Sequence, residues 1–255
     1  MSGNPFDLGG RIALVTGGGG GLGLGIAKAL ARAGATAVLN GRDAAKLDAA
    51  AAGLARDGFE ASVQAFDVAD PGAVDAGIDA IVRRHGRIDI LVNNAALNRR
   101  AMLDAMTLEA WRELQATNVD GAFLVTRAVL PGMKARRGGK IINICSLAAD
   151  LGRPRIVAYA TSKGALRMLT RALAVEVAAF NIQVNGIVPG FVRTAMNADV
   201  MADPEFVAWV ERRTPAGRWA DPDDIAGSAV FLASRAADYV TGHLLHVDGG
   251  FAASY

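Results

Sequence analysis

The sequence predicts one α/β domain spanning residues 1–255, in which a seven-stranded parallel sheet is covered by helices on both faces. Short apolar runs alternate with longer Ala-rich segments that carry apolar residues at helical spacing. The first apolar run ends in a glycine-rich turn, and no linker, repeat or low-complexity tract divides the chain. Strands buried on both faces and separated by helices are typical of the doubly wound, or Rossmann, arrangement.

The predicted elements follow one another along the whole chain. Runs rich in β-branched residues predict strands at 11–16, 36–39, 61–67, 88–93, 140–146, 182–188 and 244–247. Apolar residues three and four apart predict helices that include 22–33, 74–84, 107–133 and 163–180. The segment 191–219 breaks this alternation and contains several Met, Phe and Trp residues, so we expect an insertion that covers the substrate. An ordinary helical hairpin packed on the core is the alternative.

The composition argues against several classes of function. Charged residues make up 20% of the chain and the formal net charge is +2, too weak a charge to predict binding to nucleic acid or to an anionic membrane. Cys145 is the single cysteine, so we expect no intramolecular disulfide and no cysteine-based metal cluster, and we assign no metal. The first residues lack a secretory pattern and the apolar stretches are short, so we expect a cytoplasmic protein.

A glycine-rich turn, Thr16 to Gly25, joins the first predicted strand to a helix. Glycine has no Cβ, so the chain can turn tightly and its amide groups can approach an anion closely. A helix that begins at such a turn adds free N–H groups and the positive end of its dipole, which suits a pyrophosphate. The position of the turn predicts a dinucleotide site, whereas a flexible loop is the simpler alternative.

The end of the second strand predicts which dinucleotide is bound. An acidic residue there usually accepts hydrogen bonds from the adenosine ribose of NAD. Gly41 occupies this place and Arg42 follows it, and an arginine can pair with the 2′-phosphate of NADP. We therefore expect NADP(H) to be favoured over NAD(H). A solvated Arg42, with Asp43 as the acid, is the alternative.

Tyr159 and Lys163 lie four residues apart at the start of a predicted helix, and Ser146 ends the strand before it. Residues four apart share one face of a helix, so the lysine ammonium would lie beside the phenol and favour its ionised form. A tyrosinate can take a proton from an alcohol, and a phenol can return one to an alkoxide. Such a pair is common by chance, but together with the glycine-rich turn and Ser146 the spacing indicates a functional group of residues rather than an accident.

Motifs in the same order resemble those of the short-chain dehydrogenase/reductase family over nearly the whole chain. The family's Thr-Gly-x-x-x-Gly-x-Gly motif corresponds to Thr16, Gly17, Gly21 and Gly23. Its Asn-Asn-Ala-Gly motif corresponds to Asn93, Asn94, Ala95 and Ala96, with the last glycine replaced. Its tetrad matches Asn118, Ser146, Tyr159 and Lys163, and its carboxyl-terminal motifs match Pro189, Gly190, Thr194, Asp248, Gly249 and Gly250.

The resemblance implies a role for each of these residues. Tyr159 would be the acid/base for hydride transfer between a nicotinamide and an alcohol/ketone pair, and Ser146 would hold the substrate oxygen. Lys163 would grip the nicotinamide ribose, and Asn118 would order a water. The implied cofactor contacts are Gly17, Gly21, Leu22, Gly23, Arg42, Asp67, Val68, Asn94, Ala95, Tyr159, Lys163, Pro189, Gly190, Val192 and Thr194.

The resemblance also bears on assembly and on cofactor choice. Helices corresponding to 107–133 and 163–180 form dimers and tetramers in the family, so a homotetramer or homodimer is expected. Gly20 stands where many NADP(H)-preferring members carry a basic residue, so this chain departs from their pattern.

Within the family, residues 39–42, 99–101, 144–146 and 213–219 resemble gluconate 5-dehydrogenases most. This implies a sugar-acid substrate, whose carboxylate would pair with an arginine. The candidates in the loops that border the substrate are Arg99, Arg100, Arg153 and Arg155, of which Arg99 and Arg153 are preferred; a solvated surface charge is the alternative for each. The nearest alternative is a 3-oxoacyl-acyl-carrier-protein reductase, which shares the tetrad. A cofactor-binding sensor without catalysis is an alternative of another class, but such proteins tend to lose the tyrosine or lysine that this chain keeps.

Overall fold

A computed structural model describes residues 3–254 and contains a seven-stranded, parallel sheet. Its strands are β1 Ile12–Val15, β2 Thr36–Gly41, β3 Ala61–Ala65, β4 Ile90–Asn93, β5 Gly139–Ile144, β6 Ile182–Pro189 and β7 Leu244–Val247. They lie in the order β3-β2-β1-β4-β5-β6-β7, and every neighbouring pair is parallel. The predicted fold class is confirmed, and each predicted strand is present with its ends shifted by no more than two residues.

Helices cover both faces of the sheet. They are α1 Gly21–Arg32, α2 Ala44–Arg56, α3 Pro71–His85, α4 Leu108–Gln115, α5 Gly121–Arg136, α6 Val157–Val177, α7 Ala198–Met201, α8 Pro204–Arg213 and α9 Pro222–Ala233. Helices α1, α2 and α9 pack on one face, and α3, α5 and α6 pack on the other. No helix within residues 3–254 is both long enough and apolar enough to cross a bilayer.

Two apolar layers hold the sheet between the helices. Ile26 and Ile225 are fully buried in one layer, and Ile78 and Leu124 are buried in the other. Burying such a side chain contributes about 1.5–3 kcal/mol, so each layer stabilises the domain strongly. Every residue of β1, β4 and β6 is buried, which explains why β1 and β4 are almost continuously apolar in sequence; β6 also buries Gln183 and Asn185.

Three differences between the predicted and the observed elements lie close to the candidate site. Strand β5 ends at Ile144, because Ser146 begins a 3-10 turn and its hydroxyl accepts a hydrogen bond from the N–H of Ala148 at 3.1 Å. The helix predicted at 163–180 begins earlier, at Val157. The helix predicted at 107–133 contains a π-helical turn, Ala116–Asp120, between α4 and α5.

The sheet order creates a crevice between β1 and β4. The chain passes from β1 to β2 on one side and then continues at β4 on the other side. Open α/β sheets bind ligands at the carboxyl ends of the strands where the order reverses in this way. The glycine-rich turn after β1 and the residues after β4 therefore lie side by side at this crevice.

Candidate active site

The glycine-rich turn forms a cradle in which larger residues do not fit. Gly17 has a φ of 64°, and a Cβ there would lie 2.8 Å from the side-chain nitrogen of Asn94. A Cβ on Gly23 would lie 2.4 Å from the carbonyl oxygen of Gly17. Helix α1 begins at Gly21, so it brings free N–H groups and the positive end of its dipole to the same cradle. This arrangement suits a bound pyrophosphate.

Thr16 and Asn94 fix the cradle against the end of β4. The Thr16 hydroxyl accepts hydrogen bonds from the main-chain N–H groups of Asn94 and Ala95, at 2.9 and 3.0 Å. The Asn94 side-chain amide donates to the carbonyl oxygens of Thr16 and Gly17, at 2.9 and 3.3 Å. These bonds set the spacing of the two strand ends and make the crevice rigid.

A cavity of about 420 Å³ extends from the cradle across the carboxyl ends of the strands. The predicted cofactor residues in its lining are Gly17, Gly21, Leu22, Gly23, Arg42, Asn94, Ala95, Tyr159, Lys163, Pro189, Gly190, Val192 and Thr194. Asp67 and Val68 are not in the lining: Val68 is buried, and the Asp67 carboxylate lies 3.8 Å from the Arg42 guanidinium. Contact between these two residues and the cofactor stays a prediction.

Lys163 presents a buried ammonium group to this cavity. The residue is 2% exposed, and its Nζ donates a hydrogen bond to the carbonyl oxygen of Ile144 at 2.6 Å. Nζ also lies 5.6 Å from the centre of the Tyr159 ring, as the spacing of four residues predicts. An ammonium has three N–H donors, so donors remain for a ligand in the cavity. The glycine cradle and these donors fit the pyrophosphate and ribose hydroxyls of a nicotinamide dinucleotide.

A second cavity, of about 500 Å³, meets the first at the predicted acid/base. The residues common to both cavities are Ser146, Tyr159, Pro189, Gly190, Met196 and Asn197. The structure thus brings Ser146 and Tyr159 together at the junction, within reach of ligands on either side. We refer to the first cavity as the cofactor cavity and to the second as the substrate cavity.

Asn118 is buried in the π-helical turn and contacts the chain beyond β4. Its Oδ1 accepts a hydrogen bond from the N–H of Leu97 at 2.7 Å. Its Nδ2 donates to the Leu97 carbonyl oxygen and to the Ser162 hydroxyl, both at 3.0 Å. Both amide hydrogens are therefore used, and the side chain positions the loop after β4. An ordered water at Asn118 stays a prediction.

The two arginines predicted to meet a substrate carboxylate are in different surroundings. Arg153 lines the substrate cavity, and its guanidinium carbon lies 4.7 Å from the centre of the Phe206 ring. Arg99 is exposed and donates to Glu113 at 2.7 Å, outside the lining of this cavity. The structure therefore does not bring Arg99 to the substrate cavity.

The segment 191–219 forms one wall of the substrate cavity. Its aromatic side chains pack with one another and with the carboxyl-terminal Phe251; they are Phe191, Phe206, Trp209 and Trp219. Arg100, in the loop after β4, donates to the Asp199 carboxylate at 2.6 Å, to the Asn197 side chain at 2.8 Å and to the Met196 carbonyl oxygen at 3.2 Å. We call this set of hydrogen bonds the Arg100 clamp.

Cys145 and Lys46 also line the cofactor cavity, although the sequence assigns neither residue a role there. Cys145 is buried, and burial raises the pKa of its thiol to about 11, which makes it a poor nucleophile. Lys46 lines the cofactor cavity but carried no motif in the sequence. The feature of the sequence that could have pointed to Lys46 is its place three residues after Asp43, whose carboxylate caps α2. Within residues 3–254, no group of three or more His, Cys, Asp or Glu residues is arranged to hold a metal.

Comparisons with known proteins agree with this geometry. The family model described as enoyl-(acyl carrier protein) reductase matches residues 18–252. Gluconate 5-dehydrogenase of Gluconobacter oxydans is 47% identical over 249 residues, which cover 98% of this chain and 97% of that protein. 5-Keto-D-gluconate 5-reductase of Escherichia coli K12 is 44% identical over 245 residues, or 96% of each chain. The structure of a gluconate 5-dehydrogenase from Burkholderia cenocepacia, solved with NADP and tartrate, has a TM-score of 0.96 and 47% identity over 98% of both chains.

The fold, the two cavities and these relatives define an oxidoreductase that uses a nicotinamide dinucleotide to interconvert an alcohol and a ketone. The chain belongs to the short-chain dehydrogenase/reductase family, as its motifs predict. Its predicted similarity to gluconate 5-dehydrogenases is confirmed by the sequence and structure comparisons alike.

Proposed function

We propose that this protein is an NADP(H)-dependent oxidoreductase that interconverts a sugar acid of the gluconate type and its keto form. The observation that carries the proposal is the position of Arg153, which lines the substrate cavity together with Ser146 and Tyr159. A carboxylate bound to Arg153 would hold a substrate in the cavity that also contains the acid/base. The relatives named as acting on gluconate or 5-ketogluconate support the same substrate class.

Arg153 is a half-buried cation that lines the substrate cavity. Burial lowers the pKa of Arg153, the neighbouring Arg100 guanidinium lowers it further, and the Asp199 carboxylate acts in the opposite direction. Asp199 is paired with Arg100, and the described part of the chain gives Arg153 no ion pair of its own. A substrate carboxylate would supply the missing negative charge and can bind a guanidinium through two parallel hydrogen bonds.

Replacement of Arg153 by glutamine tests the substrate assignment. We expect kcat/KM for 5-ketogluconate to fall about 10- to 100-fold, since a hydrogen bond to a charged group contributes about 1.5–3 kcal/mol. The kcat/KM for an uncharged ketose, L-sorbose, should change little. Arg155→Gln is the matched control, because Arg155 is exposed and lies outside the lining of the substrate cavity. An equal loss with both substrates would contradict the assignment.

Turnover of an acetoacetyl thioester distinguishes the rival reductase. An acyl-carrier-protein reductase would reduce the thioester well and 5-ketogluconate poorly, and it would not depend on Arg153 for a carboxylate. We expect the opposite order of kcat/KM. Binding of NADPH without turnover of any alcohol or ketone would instead favour the cofactor-binding sensor.

Tyr159 and Ser146 perform the proton chemistry at the junction of the cavities. When bound, the nicotinamide supplies or accepts the hydride. In reduction the Tyr159 hydroxyl donates its proton to the alkoxide oxygen, and in oxidation the tyrosinate removes the proton from the alcohol. The Ser146 oxygen accepts the N–H of Ala148, so its own hydrogen is free to bind the substrate oxygen. Lys163 stabilises the tyrosinate by its positive charge.

The preference for NADP(H) rests on the adenosine end of the cofactor cavity. Asp43, the alternative acid, accepts the main-chain N–H of Lys46 at 3.0 Å as the N-cap of α2. Gly41 has no side chain, and the neighbouring Arg42 is exposed, with only a 3.8 Å ion pair to Asp67. A 2′-phosphate would therefore meet a guanidinium and an open space. The relative from Burkholderia solved with NADP supports this choice.

The segment 191–219 is part of the proposal as the cover of the substrate. Met196, Asn197, Trp209 and Arg213 from this segment line the substrate cavity, and the Arg100 clamp holds it near the loop after β4. We expect a substrate to be enclosed between this segment and the turn that begins at Ser146.

We propose that the protein is a homodimer or homotetramer. Met168 and Val175 on α6 are 60% and 82% exposed, and Phe123 on α5 is 48% exposed. Large apolar side chains on neighbouring solvent-facing helices are typical of an interface between subunits. Sedimentation of the wild type and of Met168→Glu tests this, and a monomeric wild type would contradict it.

A cytoplasmic location of the protein stays a prediction.

A further inference from the structure

We infer that Lys46 is a specificity-determining residue for the cofactor, and that its ammonium group binds the 2′-phosphate of NADP(H) together with Arg42. This inference rests on the proposed use of NADP(H) and deepens it by naming a second cation. It explains how the chain can favour the phosphorylated cofactor although Gly20 lacks the basic side chain expected there.

The Lys46 side chain extends from the first turn of α2 across the glycine-rich turn. A Cβ built on Gly19 would lie 3.4 Å from Lys46 Cγ. A Cβ built on Gly20 would lie 3.2 Å from Lys46 Cε and 3.4 Å from Nζ. The aliphatic stem therefore lies over Gly19 and the ammonium over Gly20. Lys46, Gly20 and Arg42 all line the cofactor cavity, so the two cations face the same space.

The backbone does not require glycine at position 20. Gly20 has φ 176° and ψ 178°, an extended conformation that any residue adopts. A side chain there would meet the end of Lys46, so the absence of a side chain leaves room for the ammonium. Lys46 on α2 thus supplies the positive charge that a basic residue at position 20 would carry.

Gly41 lines the same part of the cofactor cavity, beside Leu47. A Cβ on Gly41 would meet only Leu47, at an ordinary contact distance of 3.5 Å, so sterics do not demand glycine here either. A carboxylate at this position would repel a phosphate, and its absence removes that repulsion. Glycines at positions 20 and 41 together leave a space bordered by Arg42 and Lys46.

Charge also favours this assignment. Lys46 is exposed, and within residues 3–254 its ammonium has no carboxylate partner at ion-pair distance. A phosphate monoester carries about −1.5 to −2 charges at neutral pH, enough to interact with two cations. Because both cations are exposed, salt should weaken the interaction through screening.

Binding of two fragments to the full-length protein tests the inference without turnover. Isothermal titration calorimetry with 2′,5′-ADP and with 5′-AMP compares an adenosine ligand with and without the 2′-phosphate. We expect Lys46→Met to weaken 2′,5′-ADP binding by about three- to fivefold, as for an exposed charge pair, and to reduce its dependence on salt. Binding of 5′-AMP should stay within about twofold. Lys134→Met is the control for loss of a positive charge on another helix.

A second variant separates charge from structure. Gly20→Arg introduced into Lys46→Met should restore most of the affinity for 2′,5′-ADP, because the new guanidinium supplies a positive charge in the place of the lost ammonium. Equal weakening of both fragments, or unchanged 2′,5′-ADP binding in Lys46→Met, would overturn the role of Lys46. A wild type that does not distinguish the two fragments would instead overturn the proposed preference for NADP(H).

Discussion

The Nζ atom of Lys163 donates a 2.6 Å hydrogen bond to the carbonyl oxygen of Ile144, and this bond ties α6 to the carboxyl end of β5. It holds the ammonium 5.6 Å from the centre of the Tyr159 ring. Tyr159 lines both cavities, whereas Lys163 lines the cofactor cavity alone. Replacing the two residues should therefore separate the chemical step from cofactor binding.

Tyr159→Phe should lower kcat by about 100- to 10,000-fold, the usual contribution of general acid–base catalysis. The ring stays in place, so the Kd for NADPH, followed by its fluorescence, should change little. Tyr239→Phe is the matched control, because Tyr239 is fully exposed. Undiminished turnover in Tyr159→Phe would refute the assigned acid/base.

Lys163→Met should weaken NADPH binding as well as lower kcat. The variant loses the buried donors that face the cofactor cavity, and hydrogen bonds from a charged group contribute about 1.5–3 kcal/mol, or about 10- to 100-fold in Kd. Lys140→Met is the control: Lys140 is also largely buried but pairs with Asp238 at the opposite end of β5. Unchanged NADPH affinity in Lys163→Met would contradict this role.

The spacing of apolar residues predicted the fold, because this spacing directly reflects which side chains are buried. The apolar strands and the helical spacing around Tyr159 and Lys163 depend on neighbours in sequence, and both are present in the structure. The glycine-rich turn was also predictable, because the requirement for glycine at positions 17 and 23 comes from the local path of the chain.

Features that depend on the path of loops were not predictable from local patterns. Arg99 and Arg153 both follow strands that border the site, but Arg99 pairs with Glu113 whereas Arg153 faces the substrate cavity. The π-helical turn at Asn118 contains one more residue than an α-helical turn, but its amino-acid composition does not differ from that of an ordinary helix. Contacts between distant segments decide both outcomes.

Gly41→Asp should shift the cofactor preference towards NAD(H). The new carboxylate would repel a 2′-phosphate and accept hydrogen bonds from a ribose, and the space around Gly41 accommodates a side chain. We expect the ratio of kcat/KM for NADPH to that for NADH to fall at least about tenfold, which corresponds to about 1.4 kcal/mol. Gly41→Ala controls for the added Cβ, and a ratio that is the same in both variants would contradict the effect of charge.

Asp199→Asn should loosen the segment 191–219 without unfolding it. The variant weakens one ion pair of the Arg100 clamp but keeps the hydrogen bond from Arg100 to Asn197. Exposed ion pairs contribute about 0–1 kcal/mol, so we expect KM for the substrate to rise by up to about fivefold. Glu211→Gln, in the same segment, is the charge-matched control. A KM that stays equal to that of the control would show that the ion pair does not hold the substrate cover.

Stability should fall in acid partly through Asp224. The Arg218 guanidinium and the N–H of Asp221 lower the pKa of Asp224 from 3.8 to about 2 in the folded protein. A carboxyl with a depressed folded pKa stabilises the protein above pH 3.8, and this contribution is lost as the pH falls towards about 2. The pair is partly exposed, so we expect about 1 kcal/mol or less.

Urea unfolding of the wild type and of Asp224→Asn between pH 2 and pH 6 measures this contribution. The difference in the free energy of unfolding should be largest near pH 6 and should shrink as the pH falls. A difference that is constant over this range would show that the ionised carboxylate is not responsible.

The Arg100 clamp joins three successive parts of the segment 191–219 to a single guanidinium. A rotation about the side-chain bonds of Arg100 would break the contacts with Met196, Asn197 and Asp199 at the same moment. Release of residues 196–199 from the loop after β4 would then be a single concerted step, while the aromatic packing of the rest of the segment on Phe251 stays in place.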